Sequence, residues 1–229
     1  MAELERAQVI AQNLSLVESR IEKACKSANR ERSEVVLVAV TKTYPVADVE
    51  TLANLGLSHF GENRDQEGRE KSANVPAHWH FQGQIQSNKI PSIASWAHTV
   101  HSLDEKRHCE KLARSLPEGK KLGIFIQVAL DESPGRGGVA PDGLAEMADW
   151  VLTFPFLILH GLMAVAPLGE VPDQAFGRLA SIHSVFSQQF PDSSALSAGM
   201  SDDFESAIAH GATHVRIGSS ILGSRSNPL

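Results

Sequence analysis

The feature that most limits what this chain can fold into is an alternation: apolar, strand-length runs, each followed by a stretch with helical spacing, eight times along the sequence. The first run, VVLVAVT from Val35 to Thr41, is continuous and β-branched, the composition of a parallel strand covered on both faces. A helix over Pro45–Gly56 follows, with proline near its start and glycine at its stop. The pattern recurs as LSHFGE with a helix from about Asn63, HWHFQG with a helix from about Gln86, HTVHSL with a helix from Asp104, and KLGIFIQVAL with a helix from Pro141. FLILHGLMAV with a helix from Val171, SSALSAG with a helix from Asp202, and THVRIG with a short helix from Ser219 complete it. Strands alternating with helices imply right-handed crossovers and a parallel sheet. Eight such units in about 200 residues fit a closed (β/α)8 barrel of the TIM type, with a doubly wound open sheet as the runner-up. Ahead of the first strand, Leu4, Ala7, Ala11, Leu14, Val17, Ile21 and Ala24 recur in steps of three or four and predict an extra N-terminal helix within residues 1–30. No linker or low-complexity tract interrupts the pattern, so one domain over 1–229 is expected, with that helix packed on the barrel.

With 42% apolar and 21% charged residues the chain has an ordinary globular balance, which excludes a disordered tail, a collagen-like chain and a small disulfide scaffold. Its net charge of −6 gives no global attraction to nucleic acid or an anionic membrane, so any anion site must be local. Cys25 and Cys109 lack the CxxC spacing of zinc or redox chemistry and fit a reducing cytosol. No apolar run approaches the roughly 20 residues that cross a bilayer, and the charged N-terminus does not read as a signal peptide. A cytoplasmic location is expected.

In such a barrel the working face lies at the C-terminal ends of the strands. Lys42 ends the first strand and shares the parity of Val36, Val38 and Val40, so it points inward if they do. A lysine at the mouth of an apolar barrel is partly desolvated, which leaves some amine neutral and able to form a Schiff base. The plainer alternative is a lysine reaching out to solvent. LSAGMSDDFESAI places a glycine and Ser201 just before a helix, and RIGSSILG places Gly218, Ser219 and Ser220 at the start of the last one. Helix starts offer free N–H groups, and phosphate sites in these barrels often form after strands seven and eight. Simple N-capping by serine is the alternative. Arg216 has the opposite parity to Val215 and Ile217. Facing the lumen it would meet an acid, a phosphate or a pyridine nitrogen; facing outward it would pair with a helix acid.

His78, His80 and Gln82 share one parity and Trp79 and Phe81 the other, which reads as a polar stripe inside and an aromatic one against the helices. HxH on a strand is also a metal-ligand arrangement, but His101 and His160 have no supporting spacing, and no metal site is expected. SPGRGG, Ser133 to Gly138, lacks the lysine and Ser/Thr of a P-loop and reads as a mobile lid or a plain loop.

A Schiff-base lysine, a phosphate site and a lumenal arginine together point to bound pyridoxal 5′-phosphate. VAVTKTYP, FGENRDQE, HWHFQGQIQSNK, GLMAVAP, LSAGMSDDFESAI and VRIGSSILGSR resemble, in order, the motifs of the pyridoxal phosphate homeostasis protein family, from about Val35 to Arg225. The resemblance implies an alanine-racemase-like barrel, similar to the alanine racemase N-terminal domain and without the second β-domain of true alanine racemases. It implies that Lys42 carries the cofactor as a Schiff base, that Ser201, Gly218 and Ser219 hold the phosphate, that Arg216 faces the pyridine nitrogen, and that Asn63 and His80 line the ring. It further implies a monomer that binds, buffers and delivers the cofactor to apo-enzymes without strong turnover, and with no catalytic residue to assign. Gln82, Ile85 and Arg136 stand where the family more often has an apolar residue, leucine and lysine. An arginine at the pyridine nitrogen disfavours its protonation and makes the ring a poorer electron sink, and racemisation needs a second acid/base group opposite the lysine. The only tyrosine, Tyr44, lies just two residues beyond Lys42. Two other functions stay open on the sequence: a pyridoxal phosphate-dependent amino-acid racemase of low activity, and a Schiff-base aldolase acting on a sugar phosphate without the cofactor.

Overall fold

In a computed structural model, which describes residues 2–131 and 137–223, the eight runs form eight parallel strands in sequence order, and the last pairs with the first to close a barrel. They are β1 Val36–Val40, β2 His59–Glu62, β3 His78–Phe81, β4 Thr99–Leu103, β5 Leu122–Gln127, β6 Leu157–Met163, β7 Ala195–Ser197 and β8 His214–Ile217. The helices are α1 Ala2–Ser27, α2 Val46–Asn54, α3 Asp65–Asn74, α4 Ile90–Trp96, α5 Lys106–Ser115, α6 Leu144–Leu152, α7 Pro172–Gln189, α8 Phe204–Ala209 and α9 Ser219–Leu222. The fold is the expected closed (β/α)8 barrel, with α1 ahead of it. Apart from α9, which begins at Ser219 as expected, the helices after the strands start later than the spacing predicts, most of all α4, which begins at Ile90 rather than near Gln86. Pro91 accounts for this, because a ring without an N–H is tolerated in the first helical turn and not deeper. Pro141 likewise opens a short 3-10 turn, Pro141–Gly143, before α6.

Strand parity sorts the core into two layers. Leu37, Ala39, Phe60, Trp79, Phe81, Val215 and Ile217 are buried against the ring of helices. The opposite parity fills the lumen with Val38 and Phe125, and also with His80 and His101, in place of the aliphatic layers common in these barrels. The register of β5 against β6 shifts after Ile124 and Leu159, so that Gly161 pairs with Phe125.

The helix α1 buries Ile10, Leu14, Val17 and Ile21, whereas Leu4, counted in the predicted stripe, is 68% exposed. It packs against α8, α9 and α2. Arg6 Nη2 donates to Asp48 Oδ2 of α2 at 2.7 Å and to the Leu222 carbonyl at 2.9 Å, and Asn13 Nδ2 donates to the Ile221 carbonyl at 3.0 Å. These bonds satisfy carbonyls at the C-terminal end of α9 and so fix the short helix that follows β8. Among the described residues no helix is long and apolar enough to cross a membrane.

Candidate functional site

The C-terminal end of β1 is held by a buried charged network. Glu62 closes β2 on the outward parity, fully buried, and accepts hydrogen bonds at Oε1 from Thr41 Oγ1 and from Lys71 Nζ of α3, each at 2.6 Å. Lys71 also donates to the Thr41 carbonyl at 2.7 Å and lies 3.3 Å from Glu67 Oε2. Burial pushes the Glu62 carboxyl up, and the Lys71 ammonium, followed by Thr41, works against that. Thr43 takes φ +70°, a conformation costly for a β-branched residue, and its N–H donates to Glu67 Oε2 at 2.5 Å. The segment Thr41–Thr43 is thereby clamped from α3, with Lys42 turned into a cleft of about 280 Å³ at the mouth of the barrel. Sequence reasoning missed this clamp. The segment DQEGREKSAN is polar almost throughout, and nothing in its pattern marks Lys71 as buried; the one available signal was an acid, Glu62, closing a strand.

Lys42, Asn63, Ser201, Arg216, Gly218 and Ser219 all line this one cleft, with Tyr44 and Gln82 beside them. Gly199, at φ +91°, turns the chain after β7, and an added Cβ there would fall 2.8 Å from Phe204 Cα. That turn delivers Ser201, whose Oγ accepts a hydrogen bond from the Ser220 N–H of α9 at 3.3 Å. Gly218 packs so closely on β1 that a Cβ would lie 2.9 Å from the Val40 carbonyl oxygen. Arg216 is 5% exposed and lumenal; it donates from Nη1 to Ser197 Oγ at 2.7 Å and from Nη2 to the Ala164 carbonyl at 2.9 Å. Burial pushes its guanidinium down to about 10, with the Asp203 carboxylate acting the other way. Gln82 carries a buried Nε2 with no hydrogen-bond partner. Of the loop Ser133 to Gly138, residues 133–136 lie outside the described residues; Gly137 accepts a hydrogen bond at its carbonyl from Gln127 Nε2 at 2.7 Å.

His80 is not among the residues that line the cleft. It sits one layer lower, at 1% exposure, with both ring nitrogens engaged: Nδ1 with His101 Nε2 at 2.8 Å and Nε2 with His59 Nδ1 at 3.0 Å. His101 Nδ1 in turn meets Ser197 Oγ at 2.9 Å, so one hydrogen-bonded row runs down the barrel axis from Arg216 through Ser197, His101 and His80 to His59. His78, His160 and His214 stand around the row, and His101 stacks on Phe125 with centroids 4.6 Å apart. Gly123 makes room, since a Cβ there would lie 2.3 Å from His160 Nε2. Burial first, and then repulsion from neighbouring rings and from Arg216, holds His80 and His101 well below the ordinary imidazole range. Burial and the neighbouring rings bring His78 down to about 4, and burial, the neighbouring rings and Arg216 bring His214 to about 3. The rows of polar parity read on β3 are therefore lumenal, and His101 and His160, which spacing could not link to them, are their neighbours in space.

Residues 12–226 match the family described as alanine racemase, N-terminal domain. The pyridoxal phosphate homeostasis protein of Mycobacterium bovis is 37% identical over 244 residues, covering 96% of this chain and 95% of that one. The protein of the same name from Corynebacterium glutamicum is 40% identical over 218 residues, covering 91% and 99%. Among solved structures, PipY of Synechococcus elongatus, with PLP bound, superposes with a TM-score of 0.81 at 30% identity over 93% of this chain and 100% of that one.

Proposed function

The chain belongs to the pyridoxal phosphate homeostasis protein family, built on the alanine racemase N-terminal-domain fold, and on that premise we propose that it holds pyridoxal 5′-phosphate through Lys42 and buffers and delivers it. The observation that carries this reading is the convergence of an amine, a buried guanidinium and a serine–glycine wall on one cleft. The residues present fit the group. Gln82 Nε2 is a buried donor without an acceptor, Arg216 is a buried cation whose two hydrogen-bond partners are neutral oxygens, and Gly218, packed against Val40 of β1, brings the start of α9 to the cleft wall.

When bound, the group supplies an aldehyde that condenses with a lysine amine and an aromatic ring that absorbs visible light. The clamp from Glu62, Lys71 and Glu67 holds the Lys42 backbone, so the amine meets the cleft from a fixed point. On this reading the Ser201 hydroxyl and the N–H groups at the start of α9 donate to phosphate oxygens and Asn63 bounds the ring, which their shared position on the cleft wall supports. Arg216, a permanent donor, keeps a proton off a nitrogen placed before it. Among the described residues lining the cleft, the titratable side chains are Lys42, Tyr44, Asp202 and Arg216. Tyr44 donates its hydroxyl to the Gly223 carbonyl at 2.6 Å, so it is committed to the end of α9 rather than to a proton shuttle. Asp202 is exposed to solvent, and a site with an amine and no second buried acid/base group holds a cofactor better than it racemises an amino acid. Apo-enzymes that use the same cofactor are the recipients on this reading, and the chain acts as a cytoplasmic monomer with 1–229 as one cofactor-binding domain.

The test is the absorbance spectrum of the purified protein beside Lys42→Ala. A band at roughly 410–430 nm, absent in the variant and trapped on Lys42 by borohydride, is expected. No band after adding pyridoxal phosphate would overturn the reading and leave the sugar-phosphate aldolase; rapid interconversion of alanine enantiomers would replace it by the racemase.

A further inference from the structure

The N-terminal mouth of the barrel, opposite the cleft, collects imidazoles that the proposed function does not use. His59 opens β2 and His78 opens β3, and the parallel register sets them side by side, with His80 two residues further along β3. Each of the three brings one ring nitrogen into a group whose members all lie within 4.8 Å of one another. His59 and His78 are half-buried and reach toward the mouth, while His80 is sealed in.

We propose that His59, His78 and His80 form a binding site for a divalent transition-metal ion of the zinc class, open to solvent at its fourth position. Geometry argues for it. His59 Nδ1 and His80 Nε2 face each other at 3.0 Å, and two nitrogens at zinc–nitrogen distances of 2.0–2.1 Å in a tetrahedron stand about 3.3 Å apart. His78 bonds neither ring, although its centroid lies 5.0 Å from that of His59 and 4.7 Å from that of His80. Its Nε2 meets Thr99 Oγ1 at 2.8 Å, a contact of the kind that orients a ligating ring or yields to the ion. An all-nitrogen set selects zinc, nickel or copper over magnesium or calcium, which take oxygen.

Proton balance is also satisfied. Each neutral imidazole keeps its single proton on the nitrogen turned away from the ion, so none is released. For His80 that nitrogen is Nδ1, which then donates to His101 Nε2; His101 must carry its proton on Nδ1 and donate to Ser197 Oγ. Without the ion the row can run in either direction. The metal would select one direction for a row that ends on Arg216.

The test is titration of chelator-stripped protein with zinc chloride by calorimetry, beside His59→Ala with His78→Ala. Glu105→Ala with His108→Ala serves as the control, because Asp104, Glu105 and His108 form the other ligand-like group among the described residues. Binding of one zinc ion, weakened about 100-fold or more in the first pair and kept in the control, is expected. Cobalt in its place should show the intense visible bands of a tetrahedral site. Should the histidine variants fail to fold, long-range nitrogen–proton NMR of the wild type decides: three imidazoles must move on adding zinc. Absence of zinc binding, loss only in the control variant, equal uptake of magnesium, or shifts confined to His108 would overturn the proposal.

Discussion

Two polar assemblies are buried in this barrel, one beneath Lys42 and one along the axis, and they tolerate burial by opposite means. Beneath Lys42 the groups are charged and paired: Lys71 and Glu62 meet at 2.6 Å with almost no solvent on either side chain. Along the axis the imidazoles are bonded in a row and driven neutral by burial and by one another. Charge with a partner gives a fixed geometry, which suits a clamp on a strained Thr43 and an amine that must be presented from one place. Neutral rings give no such direction, because each can carry its proton on either nitrogen.

Lys71→Met breaks this contrast hardest. It leaves Glu62 buried without its cation, and one orphaned partner of a buried pair costs about 3–5 kcal/mol. Urea unfolding should show a loss of that order; a loss under 1 kcal/mol would mean that the clamp does not depend on the pair. Next in size is the pH dependence of the imidazoles that surround the axial row. Unfolded histidine titrates near 6.5 whereas His78 and His214 are lowered to about 4 and about 3 in the fold. Below pH 6.5 the unfolded chain therefore binds more protons, so their contribution is complete above 6.5 and is lost as pH falls toward the folded values. The slope is up to about 1.4 kcal/mol per pH unit for each ring, less for half-exposed His78. Asp104 and Asp203, raised by burial, act in the opposite sense, so the clean comparison is wild type against His214→Gln in EDTA. The variant should lose stability less steeply between pH 6 and pH 5 by about that amount. Equal slopes would show that His214 titrates normally in the fold.

The same contrast explains what the sequence disclosed. Alternation exposed all eight strands; parity pointed to Lys42 and Arg216, helix starts pointed to Ser201, Gly218 and Ser219, the family resemblance alone pointed to Asn63, and all six line one cleft. Parity says inside or outside but not how deep. His80 is lumenal as its parity predicts, yet it pairs in register with Gly61 and Thr99, a layer below the residues that line the cleft. Depth depends on the stagger between neighbouring strands, which no single strand encodes. For the same reason HxH within β3 looked short of ligands while His59, its lateral neighbour, belongs to another strand. The clamp was hidden differently: α3 has only Gly68 and Lys71 buried, too few apolar positions to mark a face.

The smallest effect tests whether the two ends of the axis communicate. Ser197 Oγ is the single atom between them, accepting from Arg216 Nη1 at 2.7 Å and meeting His101 Nδ1 at 2.9 Å. Ser197→Ala removes that atom and little volume, and one buried hydrogen-bonding group costs about 1 kcal/mol. The informative readout is not stability. Freed of Ser197, the guanidinium keeps only the Ala164 carbonyl and can turn toward whatever faces it in the cleft. On the reading that Arg216 faces the cofactor, the visible band should then shift in the variant, and in wild type it should respond to a change at the far mouth such as His59→Ala. A band displaced by Ser197→Ala but indifferent to His59→Ala would confine the coupling to Arg216 and its neighbour. A band indifferent to both would make the histidine row packing alone, a neutral filling that lets the mouth of the barrel be charged.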